Sequence, residues 1–232
     1  RDLRRIINYF SNEDCVIPTT FKYPFGKGGY SIQNYYPRKL VMTNDEIKKV
    51  AELKKFESIK EEYARDIWLF LYRCNGINFV DLLRMRWDNI QNGYIVFFRK
   101  KTETTRKNNK KEIVVPVSPL LKELIDKIGV KDSPYVIGKL KDGYSDSMFE
   151  NKSKKMKKGI NLNLKNIGKR LDISVPLLVK TARDSYATTL RRAGVSKDDI
   201  GEMLGHSNSI VTEHYLASIN MESTNEINKH LF

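Results

Sequence analysis

Arg183, His206 and Tyr215 follow one another at short intervals near the end of the 232-residue sequence. An arginine is a permanent cation whose planar guanidinium matches phosphate oxygens. A histidine can donate a hydrogen bond or transfer a proton near neutral pH, and a tyrosine hydroxyl can act as a nucleophile. Cleavage of a phosphodiester needs a nucleophile, cations for the charge that develops on the phosphate, and an acid for the leaving 5′-oxygen. These residue types therefore indicate phosphoryl transfer.

The spacing of the three residues is more specific than their types. Arg183 lies in Ala-Arg-Asp-Ser-Tyr-Ala-Thr, His206 lies in Leu-Gly-His-Ser, and Tyr215 follows His206 by nine residues. This pattern resembles the C-terminal signature of the tyrosine recombinases, the phage-integrase family, and the resemblance extends from about Thr43 to Leu216. It implies that Tyr215 attacks the scissile phosphate to form a 3′-phosphotyrosine while Arg183 and His206 contact that phosphate. It also implies that no metal ion, ATP or other cofactor is required.

Two lysines occupy further positions of the family pattern. Lys101 is followed by Thr102, as is often the case for the hairpin lysine that acts as the family's general acid. A lysine suits that role only if neighbouring cations lower its pKa toward neutrality. Lys100 is the less favoured candidate, because successive strand side chains point to opposite faces. Lys180 stands where the family usually has a histidine, three residues before Arg183, and it can still donate to a phosphate.

One position departs from the family. The segment Gly-Ile-Asn-Phe-Val-Asp-Leu, residues 76–82, corresponds to the family's Gly-Leu-Arg-x-x-Asp/Glu-Leu. Asn78 therefore stands where the first catalytic arginine is expected. Asp81 matches the carboxylate that supports the family's site, and its alternative role is to satisfy backbone donors. Either another residue supplies the missing cation or the enzyme is impaired.

We predict that Arg99 supplies this cation. Side chains repeat every second residue along a strand, so Arg99 shares one face with Lys101, about 7 Å away, and with Ile95 and Phe97. The apolar pair would anchor the strand to the core and leave the two cations beyond it. Arg73 is the rival candidate, although its position on the preceding helix makes it less suitable. The alternative for Arg99 is a contact between the hairpin and DNA.

The net charge points to a polyanionic partner. The chain has 42 Lys and Arg against 28 Asp and Glu, a formal charge of +14, which favours nucleic acid over a membrane surface. The longest apolar run, residues 67–72, is too short to span a bilayer. Cys15 and Cys74 are isolated, which indicates a reduced, cytoplasmic protein. The candidate DNA contacts are Lys100 and Arg106 in the hairpin and Lys152, Lys154, Lys155 and Lys157 in the densest basic run. The alternative for these residues is a solvated face without a partner. Arg84 and Arg86 are expected at the surface or on the DNA backbone.

Local patterns predict a mainly α fold with a small antiparallel β-sheet. Thr181 is expected to cap the helix that carries Arg183, which would place this arginine in the first turn, and Ser196 to cap a short helix that ends at Gly205. The other predicted helices cover residues 1–12, 44–57, 59–74, 119–128 and 162–171, with another from near Asn78, and residues 94–101 and 112–117 form the hairpin. The predicted organisation is 1–12, a remnant of the last core-binding-domain helix; 13–41, a linker; 42–216, the catalytic domain; and 217–232, a C-terminal tail.

Together these features predict a fragment of a site-specific DNA recombinase or integrase, resembling integrases of Bacteroidetes mobile elements. Its expected partner is double-stranded DNA. The protein is expected to be a monomer when free and a tetramer on DNA, in which C-terminal tails are exchanged between protomers. Packing of the tail on its own protomer is the alternative. A type IB topoisomerase shares the chemistry, and a catalytically decayed recombinase that only binds DNA is motivated by Asn78 and Lys180.

Overall fold

The computed structural model describes residues 2–13, 16–18, 20–26, 28–31, 41–99 and 112–205. The chain divides into two compact units, Arg1–Pro37 and Arg38–Phe232. In the first unit, helix α1 spans Asp2–Asn12, as its apolar spacing predicts. No residue of α1 is buried, and the side chains of Leu3, Ile6 and Phe10 are exposed.

The second unit is mainly helical and contains one small sheet, so the predicted fold class is confirmed. Several of its helices begin directly after a residue whose side chain caps the helix. For example, Ser118 caps the helix that begins at Pro119, and the Ser118 hydroxyl accepts from the Leu121 amide. The helices are α2 (Asn44–Glu52), α3 (Ile59–Arg73), α4 (Phe79–Arg84), α5 (Pro119–Ile128), α6 (Asp146–Arg170), α7 (Val179–Arg192) and α8 (Lys197–Met203), and Trp87–Asn89 forms a 3₁₀ turn.

Helix α3 is the centre of this unit. Its apolar residues face nearly all directions, and every residue from Ile67 to Leu71 is buried, as expected for a helix covered on all sides. It packs against α5, α6 and α7. The indole Nε1 of Trp68 donates to the Leu178 carbonyl and to the Thr181 hydroxyl, both at 3.1 Å. These two bonds fix the start of α7 against α3.

The sheet is antiparallel, with strand order β1 (Ile90–Gln91), β2 (Tyr94–Phe98) and β3 (Glu112–Pro116). Ile95 pairs with Val115 and Phe97 pairs with Ile113, and all four side chains are buried. The predicted face of β2 is therefore the one that contacts the core. The short strand β1 was not predicted, because two residues are too few to show a periodic pattern.

Three predicted helix boundaries were wrong. Helix α2 ends at Glu52 rather than residue 57, because Leu53 turns to extended backbone and packs against the core. Residues 162–171 are not a separate helix but the end of the 25-residue α6. Gly159 costs this helix about 1 kcal/mol relative to alanine, but buried apolar residues on both sides of it keep the helix continuous.

The third error concerns the start of α7. This helix begins at Val179, so Thr181 lies inside it and is not its N-cap. The Thr181 hydroxyl accepts from the Leu178 amide and donates to the Leu178 carbonyl. It therefore caps the helix from its third position. Arg183 is the fifth residue of α7 and lies beyond the first turn, so its predicted place in that turn was wrong.

Candidate active site

A tight turn after α3 forms one wall of the candidate site. Asn75 and Gly76 both have positive φ, 48° and 60°. A Cβ added to Gly76 would lie 3.2 Å from the Cα of Arg183 and 3.2 Å from the ring of Tyr186. Glycine is thus required both by the backbone conformation and by the close approach of α7.

Arg183 is held between this turn and the end of α8. Its side chain is buried, with a relative exposure of 6%. Its Nη1 donates to the Gly76 carbonyl and its Nη2 to the Leu204 carbonyl, both at 2.7 Å. Hydrogen bonds from a charged donor are stronger than those between neutral groups. They fix the orientation of the guanidinium.

Arg99, directly after β2, reaches the same end of α8. Its Nη1 donates to the Gly205 carbonyl at 2.7 Å. Gly205 has a φ of +63°, and a Cβ there would lie 2.4 Å from Cδ1 of Ile113 and 2.8 Å from Cδ of Arg99. Two arginines from distant parts of the chain therefore bind the consecutive carbonyls of Leu204 and Gly205, immediately before position 206.

The two arginines line one narrow cleft together with Asn78 and Asp81. The amide Nδ2 of Asn78 donates to the Asp81 carboxylate at 3.4 Å. The thiol of Cys74 also lines the cleft, and burial raises its pKa, so it stays a thiol and does not act as a nucleophile. Four residues predicted from the sequence are thus brought together at one place.

A second cavity of about 250 Å³ shares Asp81 and Arg99 with the cleft and extends to Arg84. The Arg84 guanidinium lies 3.7 Å from the ring centroid of Phe149 and pairs with Asp146 at 3.2 Å. From the sequence, Arg84 was expected only at the surface or on the DNA backbone. Arg84 is the last residue of α4, and no motif in the sequence marks it as a residue that borders the cleft.

The rival cations lie elsewhere. Nη1 of Arg73 is directed at the Leu120 carbonyl, 3.5 Å away. Arg73 is not among the described residues that line the cleft or the second cavity. Arg86 pairs with Asp142 at 2.8 Å. Of Arg73, Arg86 and Arg99, it is Arg99 that lines the cleft beside Asn78.

The predicted lysines of the described part are exposed. The side chain of Lys180 is 67% exposed, and its ammonium lies 3.8 Å from the Asp184 carboxylate one turn further along α7. The basic run lies on α6, where Lys154 pairs with Glu150 at 2.9 Å. The lysines of this run that were predicted to bind DNA all lie at the surface of α6: Lys152, Lys154, Lys155 and Lys157.

Five predicted site residues lie outside the described residues: Lys100, Lys101, Arg106, His206 and Tyr215. Their roles stay predictions. Lys100 and His206 directly follow Arg99 and Gly205 in the sequence. Arg99 and Gly205 are themselves hydrogen bonded to each other at 2.7 Å.

The helical fold, the three-stranded sheet and the two-arginine cleft define a tyrosine recombinase catalytic domain. The model of the phage integrase family matches residues 41–221, and the chain belongs to this family. A search of curated protein sequences finds no match. Within the described residues, no helix is long and apolar enough to cross a membrane.

Solved structures of recombinases and integrases share the fold. XerA recombinase is 16% identical with a TM-score of 0.56, over 84% of this chain and 66% of that one. The Tn1549 transposon integrase in complex with transposon right end DNA is 14% identical with a TM-score of 0.55, over 85% and 67%. A lambda integrase dimer bound to a COC′ core site is 15% identical with a TM-score of 0.53, over 90% and 68%. The chain thus spans about two thirds of the length of these proteins.

Proposed function

We propose that this chain is the catalytic part of a site-specific recombinase that cleaves and rejoins double-stranded DNA through a 3′-phosphotyrosine at Tyr215. The observation that carries the proposal is the convergence of Arg99 and Arg183 on one cleft beside Asn78. Family membership supports the reaction class. The fold likeness to recombinases solved with DNA supports the polymer on which it acts.

In this reaction the phenolic oxygen of Tyr215 loses its proton to solvent and bonds to the phosphorus as the bond to the 5′-oxygen breaks. Lys101 gives a proton to the leaving oxygen, and His206 donates a hydrogen bond to the phosphate. Rejoining reverses these steps, because a 5′-hydroxyl attacks the phosphotyrosine and releases Tyr215. The phosphodiester energy is kept in the covalent adduct, so no ATP is consumed.

Arg183 and Arg99 stabilise the charge that develops on the phosphate oxygens. Oriented cations in a site that excludes water act more strongly than they would in bulk solvent. Arg183 is already fixed by two carbonyls and Arg99 by one, so little reorganisation is needed when the phosphate binds. Arg99 takes the part that an arginine at position 78 plays in the family.

DNA binding would use the basic surface of α6 and the hairpin. The charge of +14 favours a polyanion, and the lysines of the basic run on α6 are exposed at the surface. Tetramer formation on DNA with exchange of residues 217–232 belongs to the same proposal. So does an origin in a mobile element.

A suicide substrate tests the proposal directly. In this nicked duplex the short fragment that carries the free 5′-hydroxyl diffuses away after cleavage, so a covalent protein–DNA adduct accumulates and is resolved on a denaturing gel. The native chain should form the adduct. Tyr215→Phe should bind DNA and form none, because only the nucleophilic hydroxyl is removed.

Tyr94→Phe is the matched control, because Tyr94 is an exposed tyrosine of β2. It should form adduct like the native chain. The departures at Asn78 and Lys180 favour one other candidate, a decayed recombinase that only binds DNA. Binding without any adduct from the native chain would establish that candidate, and adduct formation by Tyr215→Phe would exclude Tyr215 as the nucleophile.

A further inference from the structure

The hydroxyl of Tyr186 has a specific partner near the cleft. Tyr186 follows Arg183 by three residues on α7, so the two side chains lie on the same helix face. Its hydroxyl donates to Oδ1 of Asn75 at 3.0 Å, and the weaker acceptor Sδ of Met203 lies 3.6 Å away. The ring packs edge-on against Tyr72, with centroids 6.1 Å apart and an interplanar angle of 85°. It also borders Gly76.

Asn75 needs this support because of its backbone conformation. Its φ of 48° lies in the left-handed region, which costs a residue with a Cβ roughly 1–2 kcal/mol. Asparagine tolerates the region when its side chain is hydrogen bonded locally. The side chain of Asn75 is hydrogen bonded not to a neighbour in the sequence but to Tyr186, which lies 111 residues further along the chain. The hydrogen bond therefore ties the turn to α7.

The same turn presents a ligand to Arg183. Gly76 follows Asn75 directly, and its carbonyl accepts from Nη1 of Arg183 at 2.7 Å. A rotation of the Asn75 backbone would move this carbonyl and with it the guanidinium. Burial raises the pKa of Tyr186 to about 12, so its hydroxyl remains a donor throughout the neutral range.

We propose that Tyr186 is a positioning residue for Arg183: its hydroxyl fixes the Asn75–Gly76 turn, whose carbonyl orients the guanidinium toward the phosphate. This inference rests on the proposed function, in which Arg183 contacts the scissile phosphate. Tyr186 itself touches no reacting atom. The competing explanation is that Tyr186 serves only as a packed ring beside Tyr72.

Tyr186→Phe separates the two explanations, because it keeps the ring and removes only the hydroxyl. Single-turnover cleavage of the suicide duplex at saturating protein should slow roughly fivefold to tenfold, the effect of about one hydrogen bond, with unchanged DNA affinity. Tyr72→Phe is the matched control. Its hydroxyl belongs to the same aromatic group and bonds to Thr189 at 3.3 Å, away from the turn, so cleavage should be unchanged.

A rescue tests the route through the turn. Glycine adopts a positive φ without help from a side chain. In the Asn75→Gly background, adding Tyr186→Phe should therefore slow cleavage no further. Full cleavage by Tyr186→Phe, or equal slowing by Tyr186→Phe and Tyr72→Phe, would overturn the proposal.

A second measurement does not depend on cleavage. The Nε–Hε resonance of Arg183, assigned by its loss in Arg183→Lys, should shift in Tyr186→Phe and stay in place in Tyr72→Phe. If the native chain forms no adduct, the proposed function fails and this resonance alone decides the positioning role. An unchanged resonance in Tyr186→Phe would refute it.

Discussion

Arg99→Ala is the most informative perturbation of the cleft, because it removes two things at once. It deletes one of the two guanidiniums that line the cleft, and it deletes the 2.7 Å hydrogen bond to the Gly205 carbonyl. Loss of a donor that stabilises transition-state charge costs roughly a hundredfold or more in rate. Loss of a hydrogen bond from a charged group costs about 1.5–3 kcal/mol of stability. We expect both effects.

The assay is single-turnover cleavage of the suicide duplex with protein in excess, combined with thermal unfolding. Arg99→Ala should cleave about a hundredfold more slowly while its DNA affinity changes little. Arg73→Ala is the matched control, since the Arg73 guanidinium is directed at the Leu120 carbonyl instead. It should cleave at the native rate.

Adding Asn78→Arg to Arg99→Ala separates the two effects. The new arginine returns a cation to the cleft but leaves the Gly205 carbonyl without its donor. Recovery of cleavage would therefore identify charge as the contribution of Arg99. Slow cleavage without recovery would assign Arg99 to holding Gly205 in place, and native cleavage by Arg99→Ala alone would refute the whole assignment.

Two further predictions concern packing and DNA binding. The melting temperature of Gly205→Ala should be well below that of the control Gly194→Ala. Both glycines have a positive φ, but of the two only Gly205 has other atoms where a Cβ would lie, with Ile113 at 2.4 Å. Such overpacking costs roughly 1–3 kcal/mol of stability. Equal melting temperatures would contradict the packing at Gly205. Lys155→Ala should make the slope of log affinity against log salt shallower by about 0.9, the contribution of one phosphate contact. The exposed Lys48 of α2 provides the control, and an equal slope for Lys155→Ala and Lys48→Ala would remove Lys155 from the DNA interface.

Local signals were sufficient to predict most elements of the fold. The predicted helix starts at residues 44 and 119 and the predicted cap at Ser196 agree with the structure, because a helix start depends mainly on neighbouring residues. The failures came where tertiary contacts decide. Leu53 ends α2 because it packs on the core, and Thr181 lies inside α7 because its hydroxyl reaches back to Leu178.

The site was predictable in its residues more than in its contacts. The two-residue period of β2 predicts Arg99 on the side of Ile95 and Phe97, and Arg99 lines the same cleft as Phe97. Its bond to Gly205 spans 106 residues, and no local pattern encodes such a contact. Gly205 was predicted only as the end of a helix. The structure adds a second requirement, the close approach of Ile113 and Arg99.

The arginines in and around the cleft differ in the partners that orient them. Arg84 and Arg86 pair with the carboxylates of Asp146 and Asp142, and a full negative charge offsets the cation. The guanidiniums of Arg183 and Arg99 donate to backbone carbonyls, and these bonds fix their orientation.

Asp81 is the carboxylate among the described lining residues of the cleft, and the Asn78 amide donates to it. Two guanidiniums against one carboxylate leave the described lining with a net positive charge. An asparagine at position 78 thus contributes a hydrogen bond to Asp81 without a charge of its own. Under the proposed function the cation that the family places at that position comes from another part of the chain, and Arg99, the first residue after β2, lines the same cleft as Asn78.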